Sequence, residues 1–167
     1  MITAPNSFEL QIKSALQCAQ QKAHQEGFPC DGRWTHIIKK ELADLGEQQG
    51  YKICTSGFDD FYNDEWLYDM VWYKEDAVGK LITVPLTVES EWGKKIDQIK
   101  FDFEKLLLAN SQYRLMICQS YPSNIESLQD YLQQAIQDYQ LNHTGDRYLV
   151  AILNIHEGEF EFVVFTK

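Results

Sequence analysis

Two neighbouring stretches, WLYDMVWY (residues 66–73) and VPLTVESEW (residues 84–92), decide how the fold of this sequence is interpreted. Both are rich in β-branched and aromatic residues, which favour strands. Each also carries acidic residues among apolar ones: Asp69 in the first, Glu89 and Glu91 in the second. Because side chains alternate along a strand, Glu89 and Glu91 share a face. If the two strands pair, all three carboxylates can converge.

The rest of the chain predicts an α/β domain around these strands. Apolar residues recur at helical spacing in the segments 8–26, 32–46, 95–109 and 123–140. Strand-like stretches lie at 51–55, 66–73, 80–89, 113–119, 147–155 and 159–165. We expect the first three strands to form an antiparallel meander, the fourth to follow a helical crossover, and the last two to form a hairpin. Ser7 is the expected cap of the first helix, and Ser123 with Glu126 the expected capping box of the last.

Length and composition place the whole chain, residues 1–167, in one domain. The hydrophobic fraction is 44%, which suffices for a packed core. The N-terminus lacks the basic start and apolar run of a secretory signal, and no apolar stretch approaches the ~20 residues that span a bilayer. We therefore expect a cytoplasmic protein without membrane contact. The four cysteines form no CxxC pair and are expected to be buried thiols: Cys18, Cys30, Cys54 and Cys118.

The net charge and the absence of several motifs argue against some classes of function. The formal net charge is -10, whereas a generic nucleic-acid-binding module neutralises phosphates with a basic surface. The histidines show no HxxxH or HExxH spacing. No glycine-rich phosphate loop and no GxSxG element are present, so nucleotide-binding and acyl-transfer functions have no support.

The converging carboxylates point to a metal site. Carboxylates on one face repel one another, and a divalent cation can neutralise them. Oxygen ligands alone favour Mg²⁺ or Mn²⁺ over zinc. Two residues on predicted helices are candidates to join the cluster. Glu41 lies at the edge of the buried face of the second helix, and Lys105 lies on a flank of the third, from where it could reach back over the sheet.

The order helix, three strands, helix, strand, with Asp69 on the second strand and the ESE element (residues 89–91) on the third, resembles the PD-(D/E)XK nuclease superfamily. The resemblance covers roughly residues 32–119. It implies a restriction endonuclease-like core, to which the first helix, the last helix and the closing hairpin are additions. It also implies that Asp69, Glu89 and the backbone carbonyl of Ser90 bind the metal.

The same resemblance assigns roles to three further residues. A glutamate on the helix before the strands often completes the site, and Glu41 fits by position. The lysine of the (D/E)xK element, which orients or activates the attacking water, is replaced by Glu91. Some members take this lysine from the following helix, and Lys105 in DFEKLL is the candidate here. Glu91 and Lys105 would then share the activation of water.

The resemblance implies a metal-dependent, nuclease-like phosphodiesterase that acts on nucleic acid. The sequence leaves DNA, RNA and other substrates open. The alternative is a nuclease-fold protein without catalysis that serves as a binding or regulatory module, for which the acidic charge and the missing motif lysine argue. A protein partner could supply nucleic-acid affinity to such an acidic domain.

Simpler interpretations stay open beside these. Glu89 and Glu91 could belong to a solvated sheet face, because acidic residues often alternate with apolar ones at a strand end. Asp69 could have a purely structural role. Glu41 and Lys105 could be ordinary residues at the rim of amphipathic helices, and Trp92 is expected in the core.

Overall fold

The computed structural model describes residues 1–27, 31–58 and 65–167, and these form four helices and a seven-stranded sheet. The helices are α1 (Ser7–Gln25), α2 (Asp31–Gln48), α3 (Ile96–Leu108) and α4 (Pro122–Asp138). The strands are β1 (Ile2–Thr3), β2 (Lys52–Thr55), β3 (Met70–Glu75), β4 (Leu81–Glu91), β5 (Tyr113–Ser120), β6 (Arg147–Asn154) and β7 (Glu159–Thr166).

The sheet is mixed, with the order β1-β7-β6-β5-β4-β3-β2. Strands β2, β3 and β4 form the predicted antiparallel meander. Strand β5 runs parallel to β4 after the α3 crossover, β6 runs parallel to β5, and β6 and β7 form the predicted hairpin. The α/β prediction is thus confirmed, and the elements from α2 to β5 follow the restriction endonuclease-like order. The short strand β1, which pairs with β7, was not expected from the sequence.

Different helices cover the two faces of the sheet. Helices α1 and α2 pack on one face, against a cluster that includes Met70, Trp72, Leu86 and Val88. Helices α3 and α4 pack on the other, against Met116, Cys118, Val150 and Ile152. Because neighbouring residues of a strand point to opposite faces, Val88 faces α1 and α2, and Glu89 faces α3.

The predicted helix caps are wrong at two positions. Asn6, not Ser7, caps α1, because its side chain accepts a hydrogen bond from the Glu9 amide while the Glu9 carboxylate accepts one from the Asn6 amide. The expected capping box of α4 does not form, since that helix starts earlier, at Pro122, and has no side-chain cap. Proline suits the first helical position because it has no amide hydrogen to satisfy there.

Strand β3 starts later than the sequence predicts. The expected strand began at residue 66, but residues 66–69 form bends, and Trp66 and Leu67 are exposed. Regular pairing with β4 begins at Met70, opposite Val88. Asp69 therefore lies just before the strand, where its side chain can bond to the β4 backbone.

The prediction of buried thiols is confirmed for Cys54 and Cys118. Cys18 is free but only partly buried, and Cys30 lies outside the described residues. No helix in the described ranges is long and apolar enough to cross a membrane.

Candidate functional site

Asp69 is held at the start of β3 by its two neighbouring strands. The Oδ2 atom accepts hydrogen bonds from the Ser90 amide and from the Ser90 hydroxyl, each at 2.7 Å. On the other side, the buried Thr55 hydroxyl donates to the Asp69 carbonyl at 2.6 Å. These contacts fix both the backbone and the carboxylate of Asp69. The backbone carbonyl of Ser90 was the predicted partner of Asp69 at the metal, whereas the observed contacts are made by the Ser90 amide and hydroxyl.

Glu89 is the buried acidic residue of the group. It is 1% exposed, and its neighbour on β5 is Met116, which belongs to the α3–α4 core. The Nζ atom of Lys105 lies 2.7 Å from Glu89 Oε1 and 3.3 Å from Asp102 Oδ1. Helical phase in the sequence predicts this reach of Lys105 over the sheet, and the structure places the ammonium group there.

Burial governs the protonation of this group. It raises the pKa of Glu89 to about 8, the Asp69 and Asp102 carboxylates add to the rise, and Lys105 opposes it. Burial alone would lower the pKa of Lys105, but Glu89 and Asp102 outweigh it and raise that pKa. Burial likewise raises the pKa of Asp102, against the effect of Lys105. Glu89, Asp102 and Lys105 therefore keep their protons to higher pH than isolated side chains would. Together with Asp69, these residues form the acidic cluster of the candidate site.

The Oε1 atom of Glu89 has less hydrogen bonding than its burial requires. Lys105 lies within ion-pair distance of this oxygen, but no donor among the described residues forms an aligned hydrogen bond with it. An unsatisfied buried acceptor costs about 1–3 kcal/mol, and more when it is charged. Such an oxygen is suited to a cation or a proton.

Glu91 lies on the face of the sheet that α3 covers, but its carboxylate bonds to the backbone two residues later. Its partner in the β4–β5 register is Cys118, on the same face as Met116. Its carboxylate accepts a hydrogen bond from the Gly93 amide. Glu91 is near enough to raise the pKa of Asp102. It thus borders the cluster without entering the ion pair.

Glu41 is not brought to this cluster. Its carboxylate pairs with Lys22 of α1 and also bonds to the Cys18 thiol, whose pKa it raises. It lines a groove of about 480 Å³ between α1 and α2. These two helices pack on the face of the sheet opposite α3. Glu41 was predicted to join the cluster because it lies at the edge of the buried face of α2. In the structure, that edge faces α1.

Helix α2 instead contributes a lysine, Lys39, which pairs with Glu65, four positions before Asp69. Lys39 is 9% exposed, and its Nζ lies 2.7 Å from Oε1 of Glu65. Glu65 also interacts electrostatically with Lys105. Sequence analysis missed both Lys39 and Glu65. A lysine next to the buried stripe of an amphipathic helix was the only local signal, and Glu65 gave none.

The described part of the chain contains no group of three or more histidine, cysteine, aspartate or glutamate residues arranged to hold a metal ion. The carboxylates are not arranged around a common point because each has a nearby partner within the protein. The Asp69 and Glu91 carboxylates accept from backbone amides, and Glu89 is turned to Lys105.

Comparison with known proteins gives little further guidance. No protein-family model and no curated protein matches this chain. Among solved structures, the chain resembles NucC from E. coli MS115-1 in its cAAA-bound form, with 11% sequence identity. The alignment covers 96% of this chain and 84% of that chain, with a TM-score of 0.46. A likeness this loose carries no argument about function.

Proposed function

We propose that this chain is a metal-dependent, nuclease-like phosphodiesterase that acts on nucleic acid. The observation that carries the proposal is the 2.7 Å contact between Lys105 and Glu89. It supplies, from helix α3, the lysine that the ESE element lacks at Glu91. Carboxylates that can bind a cation, and a lysine that can stabilise negative charge on a phosphoryl group, are groups that can serve phosphodiester hydrolysis.

Carboxylate and carbonyl oxygens are the ligand type that a hard divalent cation prefers. Glu89 Oε1 is buried without an aligned hydrogen-bond donor among the described residues, and Asp69 uses Oδ2 for both of its bonds to Ser90. Asp69, Glu89 and the carbonyl of Ser90 would hold Mg²⁺ or Mn²⁺. When bound, the cation would offset negative charge on the phosphoryl oxygens and lower the pKa of a bound water.

The chain's own residues would orient the reactants. Lys105 is two-thirds buried, and its contacts with Glu89 and Asp102 keep it protonated, so that it can donate to a phosphate oxygen or a water. Ser90 keeps the Asp69 carboxylate in one orientation. Glu91, at the border of the cluster, would share in activating the water.

A second candidate is a nuclease-fold module without catalysis. It is favoured by the internal partners of the carboxylates, which leave no three-residue metal group among the described residues. The net charge of -10 also argues against unaided binding to nucleic acid. Such a module would act through a protein partner.

One experiment separates the two candidates. Thermal unfolding is followed with and without 5 mM Mn²⁺ or Mg²⁺, and cleavage of labelled single- and double-stranded DNA and RNA is measured in parallel. The wild type should be stabilised by the metal and cleave at least one substrate. Asp69→Asn should lose both properties, and Lys105→Met only cleavage. Lys100→Met, on the same helix, is the matched control.

The outcomes decide as follows. Metal binding without cleavage of any substrate supports the silent module. Equal metal stabilisation of the wild type and Asp69→Asn contradicts the site, and cleavage that persists in Lys105→Met contradicts the role of the lysine.

A further inference from the structure

The ion pair between Lys39 and Glu65 joins helix α2 to the segment that delivers Asp69. The Oε1 atom of Glu65 lies 2.7 Å from Lys39 Nζ and accepts a 2.5 Å hydrogen bond from the Ser56 hydroxyl. Lysine is almost never buried unless it is paired, and Lys39 is 9% exposed. The pair therefore defines one position for Glu65.

The other end of this segment is fixed as well. Thr55 bonds to the Asp69 carbonyl, and Ser90 bonds to the Asp69 carboxylate. Residues 66–69 between the two ends are bends that make no regular strand pairing. Trp66, although half-exposed, contacts the Tyr73 ring in a tilted arrangement with ring centroids 4.9 Å apart. Polar contacts thus hold segment 65–69 at its two ends, and between them Tyr68 packs against the α3–α4 core.

We propose that Lys39 and Glu65 are positioning residues of the candidate site, because their ion pair ties segment 65–69 to α2 and thereby sets the position of the Asp69 carboxylate. The importance of this position for chemistry rests on the proposed function, whereas the positioning itself does not. Helix α2 then contributes to the site through the Lys39 ammonium group, which holds segment 65–69. It does not contribute the acidic metal ligand that was predicted at Glu41.

The alternative is that the pair only stabilises the fold. Loss of Lys39 would then destabilise the whole molecule without any special effect on Asp69. The Ser90 amide distinguishes the two cases, because its hydrogen bond is made to the Asp69 side chain and not to another strand. Its hydrogen exchange reports directly whether Asp69 is in place.

The test is amide hydrogen exchange measured by NMR, with the Ser90 rate expressed relative to that of Leu115 in the central strand β5. Lys39→Met should raise this ratio about tenfold or more, and Glu65→Gln should raise it in the same direction. Lys39→Arg keeps the charge and should restore a ratio near that of the wild type. Lys40→Met, which removes a lysine paired with Asp44 on the same helix, should leave the ratio unchanged. An unchanged ratio in Lys39→Met overturns the proposal.

Cleavage kinetics test the functional consequence separately. If the wild type cleaves nucleic acid, Lys39→Met should lower kcat about tenfold with KM little changed, and Lys40→Met should behave as the wild type. A raised exchange ratio with unchanged kcat overturns the link to the site. If the wild type does not cleave, the proposed function fails, whereas the exchange ratio still decides whether Lys39 positions Asp69.

Discussion

The Nζ atom of Lys105 on α3 lies 2.7 Å from Oε1 of Glu89 on β4, so that one ion pair joins the crossover helix to the central part of the sheet. Glu89 is almost fully buried and Lys105 is one-third exposed. The pair is therefore desolvated mainly on the carboxylate side. The stability of the cluster should depend on whether that carboxylate is ionised.

Removing the lysine tests this dependence. Lys105→Met leaves Glu89 without its cation, and we expect a loss of about 1–3 kcal/mol in the free energy of unfolding at pH 9. At pH 6 the loss should be smaller, because Glu89 can bind a proton. Urea denaturation at the two pH values measures both quantities. Lys100→Met serves as the control, and an equal loss at the two pH values would contradict the prediction.

The raised pKa of Glu89 predicts that stability falls with pH. The folded state holds this proton up to about pH 8, whereas an unfolded glutamate releases it near pH 4.5. The stabilisation from this group is thus fully present below pH 4.5 and is lost as the pH rises through about 8. Between these values the contribution changes by at most about 1.4 kcal/mol per pH unit.

The measurement is a comparison of the wild type with Glu89→Gln, which cannot titrate. Urea unfolding at pH 5, 6, 7, 8 and 9 gives the slope for each protein. The wild-type slope should be more negative than that of the variant over this range. Parallel slopes would show that Glu89 has an ordinary pKa in the folded protein.

A buried ion pair should also tie the N-terminal helix to the rest of the fold. Glu9 is 1% exposed and accepts hydrogen bonds from Arg147 at 2.7 and 2.8 Å. Arg147→Met leaves this carboxylate buried without its cation, with the hydrogen bond from the Asn6 amide kept, and should cost about 3 kcal/mol in unfolding free energy. Arg33→Met, which breaks an exposed pair with Glu26, should cause little change. Similar effects in the two variants would mean that α1 is only loosely attached.

Close packing of α2 on the sheet gives a prediction at Gly46. A Cβ atom there would lie 2.5 Å from Ile53 Cδ1 and 2.8 Å from the Trp72 ring. We expect Gly46→Ala to destabilise the protein by about 1–2 kcal/mol, because the overpacking exceeds the gain in helix propensity. Gly32→Ala is the matched control in the same helix, since the described residues leave open space around Gly32. It should leave stability unchanged or raise it, as thermal unfolding can show.

The sequence by itself determined the type and order of the main elements. Period-two and helical patterns are local properties of the chain, so they identified the meander, the crossover helix and the closing hairpin. Alternation of side chains along β4 determined that Glu89 and Val88 point to opposite faces of the sheet. Helical phase determined that Lys105 lies on the flank of α3 from which it reaches Glu89. Each of these follows from backbone geometry within one element.

The tertiary structure alone decided which elements contact one another and which atoms complete the cluster. Asp69 lies just before the regular strand, and its carboxylate binds the amide and hydroxyl of Ser90, 21 positions later. Glu41 pairs with Lys22 because α1 packs against α2, and Lys39 pairs with Glu65 because segment 65–69 passes beside α2. Neither packing is visible in a local pattern. The partner of a charged side chain at the rim of a helix depends on which element packs beside that rim. Contacts between residues far apart in the sequence decide which element that is.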